Sequence, residues 1–126
     1  MRLLASIVVI LALTIMAGFW TNYSLQKSTN DLVRQIDKVS IEIRTKHWQS
    51  AKEQTEKLEK DWDQKAKWWP VFLDHQEMDN IDFSMARVKE YVTSQNNSLS
   101  LGQLSEIRLM LEHIPKKEAV NLENIL

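Results

Sequence analysis

Apolar and polar positions divide the chain into two unequal parts. From Leu3 to Trp20 it reads LLASIVVILALTIMAGFW, without one charged residue. A run this long with no polar face is not amphipathic, which argues against a buried helix of a soluble protein. Its 18 residues span about 27 Å as a helix, close to the ~30 Å hydrocarbon core of a bilayer. Continuing to Tyr23 adds a turn and sets Trp20 and Tyr23 where an aromatic belt sits. Arg2 and the amino terminus favour a cytoplasmic start. A cleaved signal peptide is the rival reading, but its cleavage site wants small residues. Cutting after Ala17 or after Gly18 leaves bulky Ile15 or Met16 three positions before the bond. The expectation is an uncleaved anchor over residues 1–23, spanning the cytoplasmic membrane once. Its N-terminus would lie inside and its C-terminal domain outside.

Beyond Tyr23 the apolar residues fall at helical spacing. Leu25, Leu32, Ile36, Val39 and Ile43 form a first stripe, which loses phase at Thr45 to His47. Trp48, Ala51, Thr55, Leu58, Trp62 and Trp69 form a second. The pattern predicts helices over 24–45 and 47–67, with one long stuttered helix as the alternative. Pro70 suits the first turn of a third helix over 70–94, which carries Val71, Met78, Ile81, Met85, Val88 and Val92. A polar loop, SQNNSLS, follows over 94–100. Ser100 and Gln103 match a capping box for a fourth helix over 101–114, which Pro115 stops. The tail, 116–126, would dock Val120, Leu122, Ile125 and Leu126 on the bundle. The expected fold is therefore all-α: a transmembrane helix, then an antiparallel bundle of about four helices over 24–115. The first stripe covers fewer than three heptads; it admits a homodimer without specifying one.

Composition removes several function classes. There is no cysteine, so disulfides and thiolate metal sites are excluded. A formal net charge of -1 gives no electrostatic footprint for nucleic acid. The two glycines, Gly18 and Gly102, cannot build a phosphate-cradling loop, and neither a nucleophile elbow nor a zinc-protease motif occurs. No enzymatic activity and no cofactor are expected.

Two constellations remain as candidate sites. Trp48, Trp62 and Trp69 share one heptad phase. They read either as core, burying about 150–250 Å² each, or as an aromatic wall for a glycan or quaternary amine. Trp68 is off that phase and would cover the bundle end or touch the bilayer interface. The second constellation is Asp74-His75-Gln76-Glu77-Met78-Asp79-Asn80-Ile81-Asp82. His75, Asp79 and Asp82 share one side of a helix and carry donors for a divalent metal. A di-metal bundle site draws ligands from several helices, and no second cluster of that type exists, so no metal is expected. Acidic residues early in a helix also complement its dipole, and His75 would then be partly buried and paired with Asp79. The residues singled out for contact with a partner or ligand are His75, Glu77, Asp79, Asp82 and Trp68.

Trp48-x-x-Ala51, Trp62, the Trp68–Trp69 pair, His75-x-Glu77-x-Asp79 with Ile81, and the terminal Leu122-Glu123-Asn124-Ile125-Leu126 carry a resemblance over nearly the whole chain. The layout resembles an uncharacterised family of short membrane-anchored proteins from spore-forming Firmicutes. That resemblance implies a small helical ectodomain associated with a larger membrane protein of the YetF-like type, often a genomic neighbour, and no known catalytic activity. The functional expectation is an anchored accessory or adaptor protein that binds another membrane or envelope protein. The alternative is an extracytoplasmic module that binds a ligand at a tryptophan-lined site.

Overall fold

The computed structural model describes residues 1–71 and 73–125, and of 118–125 the backbone alone. In chain order come α1 (Arg2–Arg44), α2 (Trp48–Ala66), a 3-10 turn (Trp69–Val71), α3 (His75–Thr93) and α4 (Asn97–Ile125). The described residues are all helix and turn.

α1 is one helix of 43 residues, which corrects the expected division between an anchor and a separate helix at 24. Between Phe19 and Arg44 there is neither glycine nor proline, so nothing in the backbone interrupts the ladder. What changes along α1 is its surroundings. The apolar N-terminal run is long and apolar enough to cross a membrane by length and composition, and none of it is buried against the rest of the chain. From Leu25 onward one stripe turns inward: Leu25, Thr29, Leu32, Val33, Ile36, Val39 and Ile43.

The α1–α2 and α3–α4 turns use the same device. Each helix ends in a Schellman motif, in which a residue of positive φ lets the chain turn back on the last carbonyls. After α1 that residue is Lys46 (φ 60) and after α3 it is Gln95 (φ 55). Lys46 N–H donates to the Ile43 carbonyl and His47 N–H to that of Glu42. Gln95 N–H and Asn96 N–H repeat the pattern on Val92 and Tyr91. Both turns are therefore only three residues long, and neighbouring helices run antiparallel.

α1 packs on α2 and α4, and α3 packs on the same two, which closes a four-helix ring. Its core includes Leu25, Leu32, Ile36, Leu58, Trp62, Trp69, Ile81, Val88, Leu104, Ile107 and Leu111. The sequence stripes thus face one another as expected, except at Val71, which lies in the 3-10 turn ahead of α3 and is exposed.

Three boundaries differ from expectation. α3 begins at His75 rather than at Pro70, because the capping box lies at Asp74 and Glu77. Glu77 N–H donates to Asp74 Oδ1 at 2.8 Å, and Asp74 N–H donates to Glu77 Oε2 at 3.3 Å. α4 begins at Asn97 rather than 101, since Asn96 Oδ1 already accepts from Leu99 N–H at 3.0 Å. Ser100 and Gln103 therefore lie inside the helix, not at its cap. The Ser100 hydroxyl is buried without a partner, and Gln103 Nε2 donates to Glu106 Oε2 at 3.0 Å.

Pro115 does not stop α4, which runs on to Ile125. Contacts on either side of the proline hold its direction. Leu111 and Ile114 are buried before it. Lys117 after it reaches Glu77 of α3 at 2.9 Å. Residues 116–125 thus continue α4 instead of forming a separate tail. The expected docking side chains Val120, Leu122, Ile125 and Leu126 lie outside the described residues.

Candidate functional site

The acidic cluster falls on the first two turns of α3, and its members do different things. Glu77 is engaged twice, in the capping box with Asp74 and in the ion pair with Lys117. It ties the start of α3 to α4 across the bundle. Asp82 accepts a hydrogen bond from the Trp62 indole N–H at 2.6 Å, which joins α3 to the α2 core stripe. His75 and Asp79 are exposed. The expected pairing of His75 with Asp79 is not formed; both side chains point away from the core, where water satisfies them at no cost. The cluster is therefore not one site. Glu77 and Asp82 staple helices, while His75 and Asp79 are open surface. Among the described residues, no group of three His, Asp or Glu side chains is placed to hold a metal ion.

The tryptophans divide in the same way. Trp62 and Trp69 are 1% and 0% exposed and meet edge to face, with centroids 5.3 Å apart. That geometry suits the ring quadrupoles. Both rings are core and present no open wall. Trp48 is half-buried at the core margin. Trp68 stands edge to face on Trp69 at 6.1 Å and is 42% exposed. One polar atom in this region has no partner: the buried Trp69 indole N–H. Trp62 and Trp69 are alike in sequence, yet only Trp62 finds an acceptor. The reason is that Asp82 sits one helix away at its level.

The sequence did not mark one further feature, because its residues come from opposite ends of the bundle domain. A surface groove of ≈ 380 Å³ lies between α1 and α4. Ile36, Ile41 and Leu104 give it apolar walls, and Asp37, Arg44 and Arg108 line it with charge. Arg108 bonds both Glu112 of its own helix and Asp37 of α1. Those two carboxylates, the Glu112 hydrogen bond first, raise its pKa above the ordinary arginine value. The groove thus offers an apolar contact, with Ile41 57% exposed, framed by a guanidinium that is already engaged. It holds no group arranged as nucleophile and base.

Neither a curated protein nor a solved structure matches the chain. A family model does, over residues 19–125, and its description is a domain of unknown function. The match begins at the end of the apolar run and takes in the whole bundle, including both tryptophan pairs and the acidic cluster. On that match the chain belongs to the DUF4363 family.

Proposed function

We propose that this protein is a membrane-anchored, extracytoplasmic accessory protein that binds a larger membrane or envelope protein through its helical bundle. The observation that carries the reading is the continuity of α1. An uncharged run with no protein covering it passes without a break into a stripe that forms the bundle core. Such a run left in water would be a large exposed apolar surface; lipid is the solvent that suits it. The single continuous helix then holds the bundle at a fixed height and orientation beside the bilayer, as a protein working on a membrane neighbour requires. Arg2 supports the orientation with the bundle outside.

The α1–α4 groove is the contact we assign to the partner, since a small apolar centre within a polar rim is the ordinary anatomy of such interfaces. Purification of the full-length protein from membranes in mild detergent tests this. A defined larger membrane protein should accompany it, and Ile41→Asp should release that companion while leaving helical circular dichroism and melting point intact. An unchanged set of companions with Ile41→Asp would contradict the groove as the contact.

A further inference from the structure

The turn between α2 and α3 carries a second feature at the same end of the bundle as the apolar run. Val71 is 81% exposed and Trp68 42% exposed, although both lie within four residues of one another beside fully buried Trp69. Pro70 between them is also exposed, and Lys67 precedes the pair. Elsewhere on the bundle exposed apolar groups such as Phe83 and Leu99 stand singly, which is normal for a protein surface.

Cross-helix bonds fix the height of this turn. Gln35 of α1 bonds Asp61 of α2. α2 then descends antiparallel to α1 at 1.5 Å per residue, which brings Trp68 to about the level of Ser28. On the other side Arg108 bonds Asp37, and Lys117, further down α4, bonds Glu77. That places the start of α3 near the same level. The turn therefore lies roughly 6–12 Å along the axis from Trp20, the last residue of the apolar run. The headgroup layer of a bilayer adds about 5–8 Å to each side of the hydrocarbon core, so the Val71 end of the turn falls within it and Trp68 stands just beyond its outer edge, within a side chain's reach.

We infer that the Trp68–Val71 turn is a second membrane contact: it seats the bundle on the phospholipid surface beside α1, with the Trp68 ring and Val71 in the interfacial layer. The inference rests on the anchor reading of α1. Indole rings favour this layer because one edge is polar and the body apolar. Lys65 and Lys67 supply charge for phosphate, their stems lying along the apolar surface while their ammonium groups reach outward. Lys27 and Lys116 stand at the same level on α1 and α4. Asp63 and Asp74 are the acids flanking the turn, so the apolar residues lead the contact and the lysines assist it. Two points of attachment would fix the bundle's tilt as well as its height.

The chain has no cysteine, so single-cysteine labels report cleanly. Full-length protein is reconstituted in vesicles of phosphatidylcholine and phosphatidylglycerol at three to one. Nitroxides are placed at Val71→Cys, at Val9→Cys in the apolar run and at Leu99→Cys at the opposite end of the bundle. Collision with oxygen against collision with a water-soluble nickel complex reads depth. The expected order is Val9 deep in hydrocarbon, Val71 in the headgroup layer and Leu99 in water. In the Trp68→Ser background the Val71 label should move toward water while the Val9 label stays. Val9 in lipid with Val71 as accessible as Leu99 would overturn the surface contact and leave the anchor standing. Val9 in water would overturn both.

Discussion

The two halves of α1 belong to one helix and obey opposite rules. In the first half apolar residues surround the axis and none is covered by protein. In the second half they keep to one stripe, and Leu25, Leu32, Ile36 and Val39 are at most 2% exposed. Backbone chemistry is the same throughout, so what differs is only which solvent the side chains call for. Under the proposed anchoring one helix serves two environments, and the unbroken backbone of α1 joins the bundle directly to the run that precedes it.

The largest expected effect breaks the contrast directly. Leu32→Ala should cost about 2–5 kcal/mol, and Trp62→Ala about 3–5 kcal/mol, by opening cavities in a packed core. Leu11→Ala in the first half should leave bundle stability within about 0.5 kcal/mol, because it removes no protein contact. For a domain of about this size each kcal/mol moves the melting midpoint by roughly 4–8 °C. Thermal unfolding of the three variants in detergent separates them. Equal loss in Leu11→Ala would show that the apolar run packs on the bundle after all.

A proline at the junction sharpens the comparison. Lys27 is exposed, so Lys27→Pro disturbs the backbone with little change in packing. It removes an intrahelical bond and clashes with the preceding turn, at about 3 kcal/mol. The melting midpoint should fall by ten degrees or more, and the depth order of labels on the two halves should blur. No change would mean that α1 is already broken there.

The amphipathic stripes, the core tryptophans Trp62 and Trp69 and the helical class were legible because burial follows periodicity. The continuity of α1 was not, since a change of hydropathy resembles a boundary although no residue there breaks a helix. The turns were hidden for a related reason. Lys46 and Gln95 take the positive φ that one looks for in glycine, and Schellman bonds hold them in place. Pro115 misled because a local rule lost to packing: buried Leu111 and Ile114 and the Lys117–Glu77 pair outweigh the missing N–H. In the acidic cluster the local spacing was right, but the partners come from elsewhere. Nothing in the sequence near Asp82 names Trp62, twenty residues away.

The caps give the smallest effect and test that last point. Asp74→Ala should cost about 0.5–2 kcal/mol, since it leaves the Glu77 N–H without its acceptor. Ser100→Ala should be neutral or slightly stabilising. Its hydroxyl is buried without a partner, and alanine is the better helix former. If Ser100→Ala were the costlier change, Ser100 would be the cap and α4 would begin at Leu101 instead of Asn97.

In the proposed topology α1 carries the bundle across the membrane to its outer side. The direct measurement is labelling of full-length Leu99→Cys by a membrane-impermeant maleimide on intact, wall-stripped cells. Leu99 is 50% exposed at the end of the bundle opposite the apolar run, and no other thiol competes. That topology requires full labelling before lysis, with the protein retained in the membrane pellet. Labelling that appears only after lysis would contradict it.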